Sequence, residues 1–251
     1  MPPSHQLNEK TPFRLYESPE ATDDSIDITP STNDDLFDVR TTVSLVVGQS
    51  VLVGIAALFA YFLGTPQLGL GTGFMANLMA WKWGVALALP LGGLAVALDS
   101  VEDRFPALKD VSKATQRSVM LLLGGTFKPV VGMLAAIALG IAAGVGEEML
   151  FRGVFQYELV GRMGTTGALL LSSVVFGLLH AVTPLYAFLA TLASLYFGGL
   201  YVYFDNLAIP MICHAVYDIG ALYFAHWEVS KLSPDEQEEI AYWQGPGTKS
   251  S

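Results

Sequence analysis

The sequence predicts an all-α polytopic membrane protein, a helical bundle of about six transmembrane spans with one amphipathic connector. Three observations predict it. Of 251 residues, 52% are hydrophobic and only 14% are charged, against about 45–50% and about 25% in soluble domains. Apolar runs long enough to cross a hydrocarbon core of roughly 30 Å recur along the chain. The net charge of -10 gathers at the two ends: residues 1–40 carry nine acids and three bases, and residues 228–251 carry five acids and two bases.

This charge distribution sets the organisation. Residues 1–40, rich in Pro, Ser, Thr and Asp, read as a disordered acidic tail. Residues 41–227 read as the membrane domain and residues 228–251 as a second acidic tail, also expected to be solvated and disordered. There is no basic start followed by a short apolar run, the pattern of a signal peptide. An acidic balance argues against a nucleic-acid partner, because phosphate contacts need Lys and Arg. The single cysteine, Cys213, allows no internal disulfide and reads as a packing residue.

The first span runs from Thr42 to Gly64, and the second from about Trp81 to Leu98, where Pro90 and Gly92-Gly93 favour a kink. Asp99 to Gly125 mixes charges with Phe105, Leu108, Val111 and Val119, which predicts an amphipathic connector at the membrane surface. The third span begins near Pro129 and continues as helix through Glu147 and Glu148 to about Val160, because the first strong break is Gly161 to Gly164. Spans four, five and six cover Thr165 to about Ala181, Leu185 to Phe204 and Leu207 to Trp227. Arg40 and the basic residues of the span two–three connector favour an inside amino terminus, with Arg162 on the opposite side.

Few ionisable residues fall inside these spans, and they carry the functional reading. A charged group at bilayer depth costs about 2.5–3.5 kcal/mol on insertion scales, which marks Glu147, Glu148 and Arg152 as a site. Glu148 and Arg152 are four apart, hence on one helical face, as are His214 and Asp218. Glu147 is rotated about 100° from Glu148, which gives the two acids different jobs. Glu147 lies roughly 20 Å below the end of span three, and span four returns roughly 24 Å to His180, so the two side chains reach similar depth. A carboxylate and a histidine sharing a water can deprotonate it for attack on an amide carbonyl. A second histidine and a further polar group can stabilise the oxyanion. Arg152 would hold Glu148 ionised. Together these parts describe a hydrolase working inside the bilayer. His226, beside Trp227, is expected to be an interface residue, and Tyr186 and Tyr217 are assigned to packing and aromatic belts.

Glu147-Glu148-x-x-x-Arg152, Phe176-x-x-x-His180 and His214-x-x-x-Asp218 resemble the three-motif signature of the type II CAAX prenyl endopeptidases, within the CPBP or ABI group of intramembrane proteases. The resemblance covers about residues 127–226 and takes in Phe197-Gly-Gly-x-Tyr201 and Pro210. It implies that Glu147 and His180 activate water, that His214 and Asp218 form the oxyanion site, and that Glu148 and Arg152 support it. It also implies an integral multi-pass protein that cleaves a membrane-associated protein substrate beside membrane lipid, prenylated proteins being one such class, with no cofactor. One departure is Asp218, where the prenyl endopeptidases proper usually carry Asn; an Asp donates a hydrogen bond only when protonated. Two alternatives stay open. One is a zinc metalloprotease with Glu147, His180 and His214 as ligands, although the usual His-Glu-x-x-His helix is absent. The other is a non-catalytic membrane scaffold or protein-stabilising factor of the same fold.

Overall fold

The computed structural model describes residues 39–246; residues 1–38, and with them most of the expected amino-terminal tail, lie outside the described residues. Among the described residues there are eight α-helices and no strand. Helix α1 is Val39–Leu63, α2 is Leu78–Asp99, α3 is Pro106–Leu123 and α4 is Pro129–Glu148. A π-helical segment, Met149–Gln156, joins α4 to α5, Tyr157–Leu179; α6 is Pro184–Phe204, α7 is Ala208–Val229 and α8 is Pro234–Ala241. Among the described residues, five stretches are long and apolar enough to cross a membrane, the third being the 51-residue run Pro129–Leu179. The chain is an integral multi-pass membrane protein.

A straight helix of that length would extend for about 77 Å, more than twice the hydrocarbon thickness. Gly164 breaks it, with φ 73° and ψ 169°, a region that only glycine enters without strain. The pairs that meet across the break are spaced evenly about it. Ser172 donates to Gln156 at 3.3 Å, and the Phe151 and Phe176 rings lie 4.9 Å apart. The run is therefore a helical hairpin, and counting its arms separately recovers the expected six spans. Pro90 sits within α2, which continues through it.

Helices α4 and α7 form the centre of the bundle, with α1 packed on α4, α2 on α7 and α5 on α6. The α4–α7 seam depends on absent side chains. A Cβ on Gly144 would meet the Ala215 nitrogen at 2.7 Å and the Met211 carbonyl at 2.8 Å, and one on Gly140 would meet the Ala215 carbonyl at 2.9 Å. Gly132, Ala136, Gly140 and Gly144 follow one another at intervals of four and are buried. Small residues at this spacing let two helices approach closely, so that dispersion and packing hold them where lipid offers no hydrophobic drive. The α1–α2 loop also touches the interior: a Cβ on Gly153 of the π-helical segment would collide with the Gly69 carbonyl.

The amphipathic connector is α3, which buries Ala114, Val119, Leu122 and Leu123. Val119, Leu122 and Leu123 join Ala135, Leu139, Ala225 and Val229 in one apolar cluster. The carboxy-terminal tail corrects an expectation, because it is folded over Pro234–Ala241. Ser233 caps α8 through a reciprocal box with Glu236, and Ile240 is buried. Lys113 of α3 donates to Glu239 at 2.7 Å and holds that carboxyl below the usual carboxylate range. Arg117 donates to the Ala241 carbonyl at 3.2 Å. Acidic composition alone signalled disorder, whereas the acids are the cap and the charge partners of a short helix on a basic face.

The seam gives a stability prediction. Gly144→Leu overpacks α4 against α7 and should cost about 1–3 kcal/mol or more. Gly48→Ala, where a Cβ meets nothing within 4 Å, should leave the thermal midpoint in detergent almost unchanged.

Candidate active site

The row that forms the α4–α7 seam continues into the site. Four residues past Gly144 is Glu148, four further is Arg152, and four further is Gln156; all three are at most 1% exposed. In an α-helix such a row drifts about 40° per step, and the change to i→i+5 bonding over Met149–Gln156 widens the turn and reduces the drift. The row thus faces α7 at Glu148 and sweeps to α6 at Arg152 and Gln156.

Each of these polar groups finds a specific partner. Arg152 Nη1 donates to Glu148 Oε1 at 3.0 Å, and Nη2 donates to the Ser194 carbonyl at 2.9 Å and to Ser194 Oγ at 2.8 Å. The guanidinium carbon lies 5.0 Å from the Phe176 ring centre and 5.6 Å from that of Phe197, a cation–π arrangement that favours a buried charge. Gln156 Nε2 donates to the Gly198 carbonyl at 3.3 Å. Glu148 Oε1 also lies 2.8 Å from His214 Nδ1 on α7. Since a carboxylate only accepts, His214 donates from Nδ1, which turns its Nε2 toward Asp218 Oδ2 at 3.4 Å. Phe197 stacks on the His214 ring, with centroids 4.6 Å apart and planes 13° from parallel.

Glu147, one residue earlier, faces the other way. Its Oε2 lies 3.7 Å from His180 Nε2. His180 ends α5, its Nδ1 lies 2.8 Å from the Phe176 carbonyl, and its ring stacks on Phe176 at 4.2 Å. A carbonyl cannot donate, so Nδ1 carries the proton and Nε2 directs its lone pair toward Glu147. The hairpin about Gly164 sets this meeting, and the depth arithmetic from the sequence arrives at the same pair.

The site therefore has two layers. Glu148 and Arg152 are sealed, with side chains 0% and 1% exposed. His180 and Asp218 keep 31% and 26% of their side-chain surface accessible. His180 and Asp218 are open to the surface, whereas Glu148 and Arg152 are not.

All six residues singled out from sequence converge. The contact between Glu148 and His214, which links α4 to α7, was not foreseen. Neither were Ser194, Gln156 and Ser172, although a polar side chain inside an apolar run is itself a signal. His226 corrects an expectation, because it is buried and not interfacial. Its Nε2 accepts the Lys128 backbone N–H at 3.0 Å at the start of α4. Cys213 is buried, as a packing residue should be. Among the described residues, no group of three or more His, Cys, Asp or Glu side chains is disposed to hold a metal ion.

Residues 129–220 match the family model described as Rce1-like, type II CAAX prenyl endopeptidase Rce1-like. The match spans α4 to the middle of α7 and contains every residue of the site. The likeness to that family of CAAX-type intramembrane proteases is confined to these residues. No curated protein and no solved structure matches the chain.

The buried pair yields a prediction. Arg152→Met leaves Glu148 without its counter-charge and should cost about 3–5 kcal/mol. Adding Glu148→Gln, which still accepts from His214, should recover much of that loss in thermal unfolding.

Proposed function

We propose that the chain is an endopeptidase that hydrolyses a peptide bond of a membrane-associated protein, with Glu147 and His180 activating the water. The observation that carries this reading is the 3.7 Å gap between Glu147 Oε2 and His180 Nε2. The gap is too long for a direct hydrogen bond, yet one water can bond to both groups at about 2.8 Å. Glu147 accepts the water's proton as the oxygen attacks the amide carbon, and later delivers it to the leaving amine. His180 accepts the second O–H at Nε2 and orients the water. His214, buried and held by Glu148 and Phe197, directs Nε2 toward the partly exposed Asp218, and the carbonyl oxygen would sit beside this pair.

The donor set bears on the zinc alternative. Both His214 nitrogens face carboxylates, at 2.8 Å and 3.4 Å. Recruiting that ring to a metal beside Glu147 and His180 would break its contact with Asp218 or Glu148. The metal-free reading needs no such rearrangement. For the substrate we favour a protein with a lipid-modified carboxy terminus, because the match is to a CAAX prenyl endopeptidase model.

The test is cleavage of a prenylated CAAX peptide by the purified chain, with and without a zinc chelator. Glu147→Gln should lower kcat by about 100-fold or more, and the chelator should have no effect. Chelator inhibition reversed by zinc would favour the metal reading. A Gln variant as active as the parent would remove Glu147 from the chemistry.

A further inference from the structure

Resting on the hydrolase reading above, we propose that Ser194 is a positioning residue for His214: it keeps the Arg152 guanidinium from closing a two-point fork on Glu148, and so leaves Glu148 Oε1 placed to hold the histidine. Arginine and carboxylate groups often pair through two parallel N–H···O bonds. Glu148 and Arg152 do not. A single bond joins them, from Nη1 to Oε1 at 3.0 Å. Arg152 Nε and Glu148 Oε2, a donor and an acceptor that a second bond could use, are buried and have no hydrogen-bond partner among the described residues. Leaving a buried donor and acceptor unmet is costly, so a competing demand holds the guanidinium away.

Ser194 makes that demand. Nη2 donates to its carbonyl at 2.9 Å and to its Oγ at 2.8 Å, both shorter than the bond to Glu148. The residue is 1% exposed, inside α6. The rings of Phe176 and Phe197 also attract the cation. A cation–π contact favours no particular N–H, however, and so does not choose between one bond to Glu148 and two. Phe197, three residues after Ser194 and on the same face of α6, stacks on His214. Helix α6 thus acts on His214 twice: directly through Phe197, and through the chain Ser194, Arg152, Glu148.

The consequence falls on the accessible layer. Glu148 Oε1 accepts from both Arg152 Nη1 and His214 Nδ1, the latter at 2.8 Å. A guanidinium released from Ser194 Oγ would turn a second N–H onto Oε2, and the carboxylate would rotate to meet it. The bond from His214 Nδ1 would then lengthen, and Nε2 would lose its aim at Asp218, the pair beside which the scissile carbonyl sits in the proposed reaction. The fork would satisfy an acceptor that is now unmet, so activity would fall without a matching loss of stability.

The experiment uses the full chain in detergent micelles. It compares the parent with Ser194→Ala, which deletes Oγ and keeps the carbonyl, and with Ser194→Thr, which keeps a hydroxyl. It reads kcat and KM on the prenylated peptide, the thermal midpoint, and the proton resonance of His214 Nδ1 in protein with isotope-labelled histidine, assigned with His214→Gln. Ser194→Ala should lower kcat by about 10–100-fold, leave KM within about twofold, move the Nδ1 proton to higher field, and leave the thermal midpoint unchanged or raised. Ser194→Thr should move kcat and the resonance less. A resonance and a kcat that stay at parent values in Ser194→Ala would overturn the proposal. A lowered midpoint with the resonance in place would also overturn it, and make Ser194 a packing residue. A parent chain that cleaves nothing, with the resonance moved in Ser194→Ala, would remove the hydrolase reading and leave the link from Ser194 to His214 standing.

Discussion

The fold of the site depends on the buried pair Glu148–Arg152. Taking two charges out of water costs several kcal/mol per ion even after relaxation, and mutual attraction offsets it only if the remaining donors and acceptors are met. Here Arg152 reaches Glu148, both oxygens of Ser194 and two aromatic faces at once, while Arg152 Nε and Glu148 Oε2 are buried without a hydrogen-bond partner among the described residues. Because these partners come from the α4–π segment, α5 and α6, the cation pins three elements to one point. Glu148 adds the fourth by accepting from His214 of α7. Such a cluster is demanding, and its demand is what specifies a single packing.

From that fixed point the geometry of the accessible layer follows. With Glu148 turned inward to α7, its neighbour Glu147 must turn toward α5, where the hairpin has raised His180 to the same depth. With His214 tied at Nδ1 and stacked on Phe197, its Nε2 points toward Asp218. The two aromatic rings that flatten against the histidines, Phe176 and Phe197, are also those that receive the guanidinium. Orientation of the outer groups is thereby coupled to stability of the inner ones.

Much of this was legible in the residues. The spans follow from apolar length, the hairpin from Gly161 to Gly164, and the pairing of Glu147 with His180 from helix rise alone. Intramembrane charges are few enough to name the six site residues without further information. Other features had no local signal. The π-helical segment arises from tertiary demands on Glu148, Arg152 and Gln156, and nothing in Met149–Gln156 announces it. The Glu148–His214 contact joins residues 66 apart, a register set by glycines on α4 whose partner helix the sequence does not identify. The α8 helix was hidden because composition averages over a tail, whereas Ser233-Pro-Asp-Glu236 is a helix start whose acids are used locally.

We propose that Glu147 and His180 act on one water as a unit. A double-mutant cycle on kcat/KM, with Glu147→Gln, His180→Asn and the pair, tests it most directly. Groups that work together are strongly non-additive. If they act as a unit, the double variant should be no slower than the slower single variant, within about threefold. Losses that multiply would show that the two residues act independently, and would contradict it.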